Sequence, residues 1–119
     1  MAYWGVDNWE IVKNDGVTYS LTFDTDGTPV DVSAWVSYYK ATKRNATTVV
    51  IALTSAAGDI TYSDSGSGTT DTVNIVFDET DTAVASGLYD HQLIAVIGGV
   101  TTTILIGSLK IADNIAAVA

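Results

Sequence analysis

Hydrophobic and polar positions alternate along most of this chain with a period of two. In Val17-Thr-Tyr-Ser-Leu-Thr-Phe23 the residues Val17, Tyr19, Leu21 and Phe23 alternate with Thr18, Ser20 and Thr22, the pattern of a strand with one buried face. Residues 35–43 repeat it, with Trp35, Tyr39 and Ala41 opposed to Val36 and Tyr38. Residues 48–54, 59–63 and 72–77 are rich in β-branched side chains and read as further strands. Near the end, two long apolar runs flank Gly98-Gly99, and a two-residue glycine link between β runs predicts a hairpin.

Turn signals separate these runs at regular intervals: Asn14 to Gly16, Asp24 to Pro29, Lys43 to Ala46, Ala57 to Asp59, Asp64 to Asp71 and Asp78 to Gly87. Short strands so spaced predict an all-β fold, a single antiparallel sandwich of about seven or eight strands. Only residues 78–86 suit a helical turn, one at most, because Asp78 or Thr80 suits an N-cap. The Ser/Gly-rich stretch 63–71 reads as a mobile hairpin tip. The expected organisation is an aromatic arm and first strand over residues 1–15, a sandwich over 16–112 and a tail over 113–119.

Charge narrows the partners. Five basic residues against fourteen acidic ones give a net charge of −9, which repels phosphate backbones and anionic membrane surfaces. Nucleic acid and membrane are therefore not expected partners. With 47% hydrophobic and only 16% charged residues, the chain has apolar surface to spare for a neighbour. It has no cysteine, so disulfides and thiolate chemistry play no part. The N-terminal residues contain no secretory signal, and Gly98-Gly99 interrupts the longest apolar run before it reaches membrane-spanning length.

Candidate chemistry is sparse. Asp24, Asp26 and Asp31 invite a calcium loop, but an EF-type loop starting at Asp24 needs a glycine and a bidentate carboxylate where Pro29 and Trp35 stand. A looser calcium site on the three aspartates is a weak candidate, and no cofactor is expected. Gly27 and Pro29 fit a reversing strand, with Trp35 re-entering the core. The single histidine, His91, shares a strand face with Tyr89 and Leu93, which suits packing or an interface. The close acidic set Asp78, Glu79 and Asp81 does not make two carboxylates facing across a substrate. No catalytic residue is assigned and no enzymatic activity is expected.

For contacts, Trp4 and Trp9 are interface candidates because aromatic side chains anchor interfaces. Lys43 and Arg44, close to Lys40, form a small basic patch on an anionic chain. Tyr38, Tyr39 and Tyr62 are the aromatic groups available to stack on a sugar.

The order of the motifs carries a resemblance. Asp26-Gly27-x-Pro29-x-Asp31-Val32, then a strand with basic residues, then Asp81-Thr82-Ala83 with Gly87-x-Tyr89 and a last hairpin resembles small immunoglobulin-like sandwich modules of tailed-phage virions. Over residues 16–111 it is similar to the N-terminal domain of the phage baseplate upper protein family. The resemblance implies an immunoglobulin-like fold in which Gly87 and Tyr89 form a tyrosine corner. It also implies a non-enzymatic virion component, made in the host cytoplasm and present in several copies. Such a component attaches to tail-baseplate or major capsid proteins, as a baseplate adaptor or a capsid decoration protein. A module binding host-surface glycan is the alternative.

Overall fold

The computed structural model describes residues 5–113. These fold into two packed sheets without any helix among the described residues. In chain order the strands are β1 (Gly5–Val6), β2 (Trp9–Val12), β3 (Val17–Thr22), β4 (Asp24–Thr25), β5 (Thr28–Pro29) and β6 (Val36–Lys43). They continue with β7 (Val49–Thr54), β8 (Ile60–Asp64), β9 (Thr70–Phe77), β10 (Gly87–Ile97) and β11 (Val100–Ala112). The larger sheet has the order β1-β11-β10-β6-β7, with β2 also pairing β11; the smaller is β3-β9-β8. Both β1 and β2 run parallel to β11, whereas the other pairings are antiparallel. This strand order, with β6, β7 and the last hairpin in one sheet, β3, β8 and β9 in the other, and the chain crossing between them from β9 to β10, makes the fold an immunoglobulin-like β-sandwich.

Alternation places the core. From the larger sheet Tyr39, Ala41, Ile51, Leu53, Leu93, Ala95, Leu109 and Ile111 point inward to meet Val73, Ile75, Phe77 and Ile60 of the smaller sheet. The glycine pair forms the expected hairpin: Ile97 pairs with Val100 across Gly98 and Gly99, both at positive φ. Two positive φ values define the turn whose twist matches the strands it joins. The run 24–29 is a second, miniature hairpin, with Asp24 opposite Pro29 and Asp26 and Gly27 at φ 50 and 83. Val32 then donates its amide to Thr70 O at 2.8 Å and is fully buried, and Trp35 follows into the core.

The crossover from β9 to β10 contains no helix. Asp78 and Asp81 exchange hydrogen bonds, each carboxylate accepting the other residue's amide at 2.9 and 2.7 Å. Thr82 beneath them is fully buried and donates its hydroxyl to Asp15 O at 2.8 Å. The crossover ends in the tyrosine corner. Gly87 at φ 145 starts β10, and the buried Tyr89 donates its phenol to Ala85 O. Tyr89→Phe should lower stability by about 0.5–1.5 kcal/mol, the usual net contribution of one hydrogen bond. Urea titration checks this, and an unchanged midpoint would assign the corner no structural weight.

The β8–β9 connection, read as a mobile tip, is instead organised by two carboxylates. Asp71 is buried and accepts from Ser65 N, Ser65 Oγ, Ser67 Oγ and Thr72 Oγ1 at 2.8–3.2 Å. Asp64 Oδ1 accepts from Gly66 N and Gly68 N.

Candidate interaction surface

The N-terminal edge is built differently from an arm. Residues 5–12 belong to the larger sheet as β1 and β2, interrupted where Asp7 and Asn8 bend inward across β11. Asp7 N donates to Ile106 O at 3.0 Å, and Asn8 Oδ1 replaces a backbone acceptor for Ser108 N at 2.9 Å. The bend is possible because β11 has no side chain at Gly107: a Cβ there would lie 2.0 Å from Asp7 O.

The carbonyl so positioned meets His91. His91 Nε2 lies 2.8 Å from Asp7 O and Nδ1 lies 2.9 Å from Tyr39 Oη. A carbonyl only accepts, so Nε2 carries the proton and Nδ1 accepts from the phenol. Burial pushes the His91 pKa below its usual value, against the opposing pull of the Asp7 carbonyl and the Asp7 and Asp90 charges. Burial likewise drives the Tyr39 phenol far above its usual range.

His91 stands two positions after the corner tyrosine, the place that an inter-sheet cysteine takes in antibody domains. An aromatic cluster occupies that region here. Trp9 stacks on Tyr19 at 4.1 Å between ring centroids and meets His91 edge-on at 4.8 Å, while Tyr39 meets Phe77 edge-on at 5.2 Å. The indole N–H is satisfied by Asp7 Oδ2 at 2.9 Å.

A pH dependence follows with a definite sign. The folded pKa of His91 lies below the unfolded value of about 6.5, so unfolding takes up a proton and stability falls as pH drops below about 6.5. Asp31 and Asp71 have depressed pKa values too. For Asp31 the hydroxyl and amide bonds from Ser33 are the cause. For Asp71 the loop's hydrogen bonds outweigh the opposing effect of burial. Their contributions are present above the usual carboxylate range and are lost as pH falls through it and below. Thermal unfolding should therefore show a constant midpoint from about pH 7 to 9, a first decline below about pH 6.5, and a second in acid. His91→Gln should remove the first decline only; a wild-type midpoint constant down to the carboxylate range would refute the assignment.

The sequence-predicted site residues fall as follows. Trp9 is 5% exposed and belongs to the core, not to an interface, because its ring fills the gap between the sheets beside Tyr19 and Tyr39. Trp4 lies outside the described residues. Asp24, Asp26 and Asp31 do not assemble a metal site: no group of three or more histidine or acidic side chains among the described residues is placed to hold an ion. Asp24 and Asp26 belong to the miniature hairpin, and Asp31 Oδ1 accepts from Ser33 N and Oγ at 2.9 and 2.6 Å. Arg44 is paired with Asp90 at 3.4 Å in an exposed ion pair, while Lys43 is exposed at the end of β6. Of the three tyrosines available for stacking, Tyr39 is fully buried and Tyr62 is half-buried, its phenol donating to Trp35 O across the sheets at 2.7 Å. Tyr38 alone of the three faces outward on the larger sheet.

That outward face is the surface the sequence did not single out. Its cross-strand rungs read Ile106–Gln92–Lys40–Ala52, then Thr103–Ile94–Tyr38–Thr54, then Thr101–Val96–Val36. Val36 is 42% and Ile106 41% exposed, and Val6, paired beside Ile106, is 66% exposed. At the opposite end the rungs carry Asp90, held by Arg44, and Lys110, 3.3 Å from Glu10. Between the two ends lies a shallow groove of about 350 Å³ lined by Lys40, Thr42, Thr47, Asp90 and Gln92. The smaller sheet contrasts with this: its outer face carries Ser20, Asn74 and Ser63 joined across the strands by hydrogen bonds at 2.7 and 3.0 Å.

No protein-family model and no curated protein matches the chain. Among solved structures it is similar to the extracellular domain of the voltage-gated sodium channel beta4 subunit, described as parallel homodimers in relation to cell-cell adhesion. The identity is 9% and the TM-score 0.36, over 97% of this chain and 96% of that one.

Proposed function

We propose that this chain is a non-enzymatic structural module of a bacteriophage virion, attached in several copies to the tail-baseplate or capsid surface. The observation that carries the reading is the outward face of the larger sheet, where Val36, Tyr38, Ile94, Val96 and Ile106 share adjoining rungs without a carboxylate among them. Apolar side chains grouped on one solvent-facing sheet suit a permanent neighbour, and repetition on a lattice turns modest single contacts into stable attachment.

Two further observations support the reading. The motifs behind the resemblance to phage modules are the positions that shape the sandwich: Asp26-Gly27 turns the miniature hairpin, and Gly87 and Tyr89 make the corner. The carboxylates that might suggest catalysis or a metal site are engaged in turns, Asp78 and Asp81 with each other and Asp31 with Ser33.

Sedimentation of the purified protein with phage particles, detached tails and emptied capsids tests the proposal. Saturable binding to tails or capsids at several copies per particle is expected. Absence from all three pellets, together with binding of the monomer to an array of bacterial surface glycans, would favour the glycan-binding alternative.

A further inference from the structure

Attachment leaves open what kind of surface the module recognises. Resting on that reading, we infer that the outward face of the larger sheet docks an acidic protein surface of a different chain, with a carboxylate seated in the Lys40 groove beside apolar side chains.

Charge distribution is the first ground. The chain carries −9, yet Lys40 of β6 and Lys110 of β11 stand on the outward face of this one sheet, and Arg44, just after β6, reaches Asp90 there. The acidic residues on the same strands are few. Asp90 is held by Arg44 at 3.4 Å and Glu10 lies 3.3 Å from Lys110. Among the described residues Lys40 makes no ion pair, so this end of the face carries an uncompensated positive charge on a molecule that is acidic nearly everywhere else. Such a face attracts a carboxylate-bearing surface locally while the rest of the acidic molecule repels it, which fixes the orientation of docking.

The groove supplies the second ground. Lys40 enters it with the Thr42 and Thr47 hydroxyls and the Gln92 amide, a set of donors suited to carboxylate oxygens, while the one carboxylate in the lining, Asp90, is paired with Arg44. Immediately along the strands comes the rung of Ile94 and Tyr38, and then that of Val96 and Val36. Same-face residues on a strand are about 6.8 Å apart. The complement is therefore a segment presenting a carboxylate and then apolar groups at that interval, which is the i, i+2 spacing of an extended chain.

A second copy of this chain fits less well. Two such faces opposed would bring Lys40 of each towards the same basic region of the other, between molecules that each carry −9.

The test compares wild type, Lys40→Glu, Ile106→Gln and Thr18→Glu, the last placing a charge on the exposed outer side of the smaller sheet. Thermal unfolding of each variant first establishes that it folds. In sedimentation with tails and capsids, Lys40→Glu should weaken binding about tenfold or more, as like charges brought together at an interface do. Ile106→Gln should weaken it less, Thr18→Glu should bind as wild type, and added salt should weaken the wild type. Equal binding by wild type and Lys40→Glu would overturn the inference while leaving attachment standing. Failure of the wild type to bind any particle would remove attachment instead.

A second measurement then judges the face by itself. The peptide acetyl-Glu-Thr-Leu-Thr-Leu-Thr-amide, which presents a carboxylate and then two apolar groups on one face when extended, titrated into labelled protein, should shift the amide resonances of Lys40, Thr42 and Gln92, and the counterpart with lysine in place of the glutamate should not. Shifts confined elsewhere, no shifts, or equal shifts with both peptides would overturn the inference. So would a wild-type dimer in light scattering that Lys40→Glu or Ile106→Gln dissociates, because the face would then serve a second copy.

Discussion

Trp9→Ala should destabilise the sandwich by about 3–5 kcal/mol, the range for removing a large buried aromatic side chain. Domains of this kind are stable by only about 5–15 kcal/mol in total, so the variant should unfold at a much lower urea concentration or fail to accumulate. The size follows from what the indole touches. It stacks on Tyr19 and Tyr39, meets Phe77 and His91 edge-on, and uses its N–H to hold the Asp7 carboxylate. Truncation leaves a cavity between the sheets and frees the residue that bonds His91. Trp9→Phe keeps part of the stack and should lie between. A Trp9→Ala protein with an unchanged urea midpoint would return the side chain to the surface role that its position near the N-terminus first suggests.

Gly107→Ala is expected to have an effect of similar size by another route. The added methyl carbon would stand 2.0 Å from Asp7 O and 2.8 Å from Asp7 C. Neither atom is the end of a flexible side chain, so the backbone of residues 7 and 8 must move away from β11. That movement breaks the Asp7 N bond to Ile106 O, the Asn8 bonds to Ser108 and the His91 bond to Asp7 O. At about 0.5–1.5 kcal/mol for each net hydrogen bond, and more for a buried imidazole left without its acceptor, the loss should reach about 3 kcal/mol or more. Hydrogen exchange locates it: residues 5–12 should lose protection while β9 and β10 keep theirs. Unchanged protection of residues 5–12 in a folded Gly107→Ala protein would contradict the crossing geometry.

These two residues show where sequence reading succeeds and where it stops. Alternation in 17–23 and 35–43 and the Gly98-Gly99 link are local signals, and the strands and hairpin they predict are present because side-chain period and turn chemistry act over a few residues. The corner at Gly87 and Tyr89 was legible through motif order. Gly107, in contrast, sits inside an apolar run and carries no local mark of its role; its partner Asp7 is a hundred residues away in the chain. Trp9 precedes the first long alternating run, so its neighbours did not reveal that β2 would pair with β11. Parity puts His91 on one face with Tyr89 and Leu93 but leaves packing and an interface open, because the carbonyl and phenol that fix its tautomer come from distant strands. Asp71 was hidden by the Ser/Gly composition around it, which signals flexibility unless a buried carboxylate gathers the loop amides and hydroxyls. The outward face escaped notice for a related reason: Val36, Ile94 and Ile106 become neighbours only once β10 is set between β6 and β11.

Attachment to a virion is tested most directly by quantitative mass spectrometry of phage particles purified by density gradient from cells that produce this chain. The chain should be present in many copies per particle and should follow either the tail or the capsid fraction when the particles are taken apart. Its absence from purified particles, with the protein found only in the particle-free lysate, would contradict the proposed function.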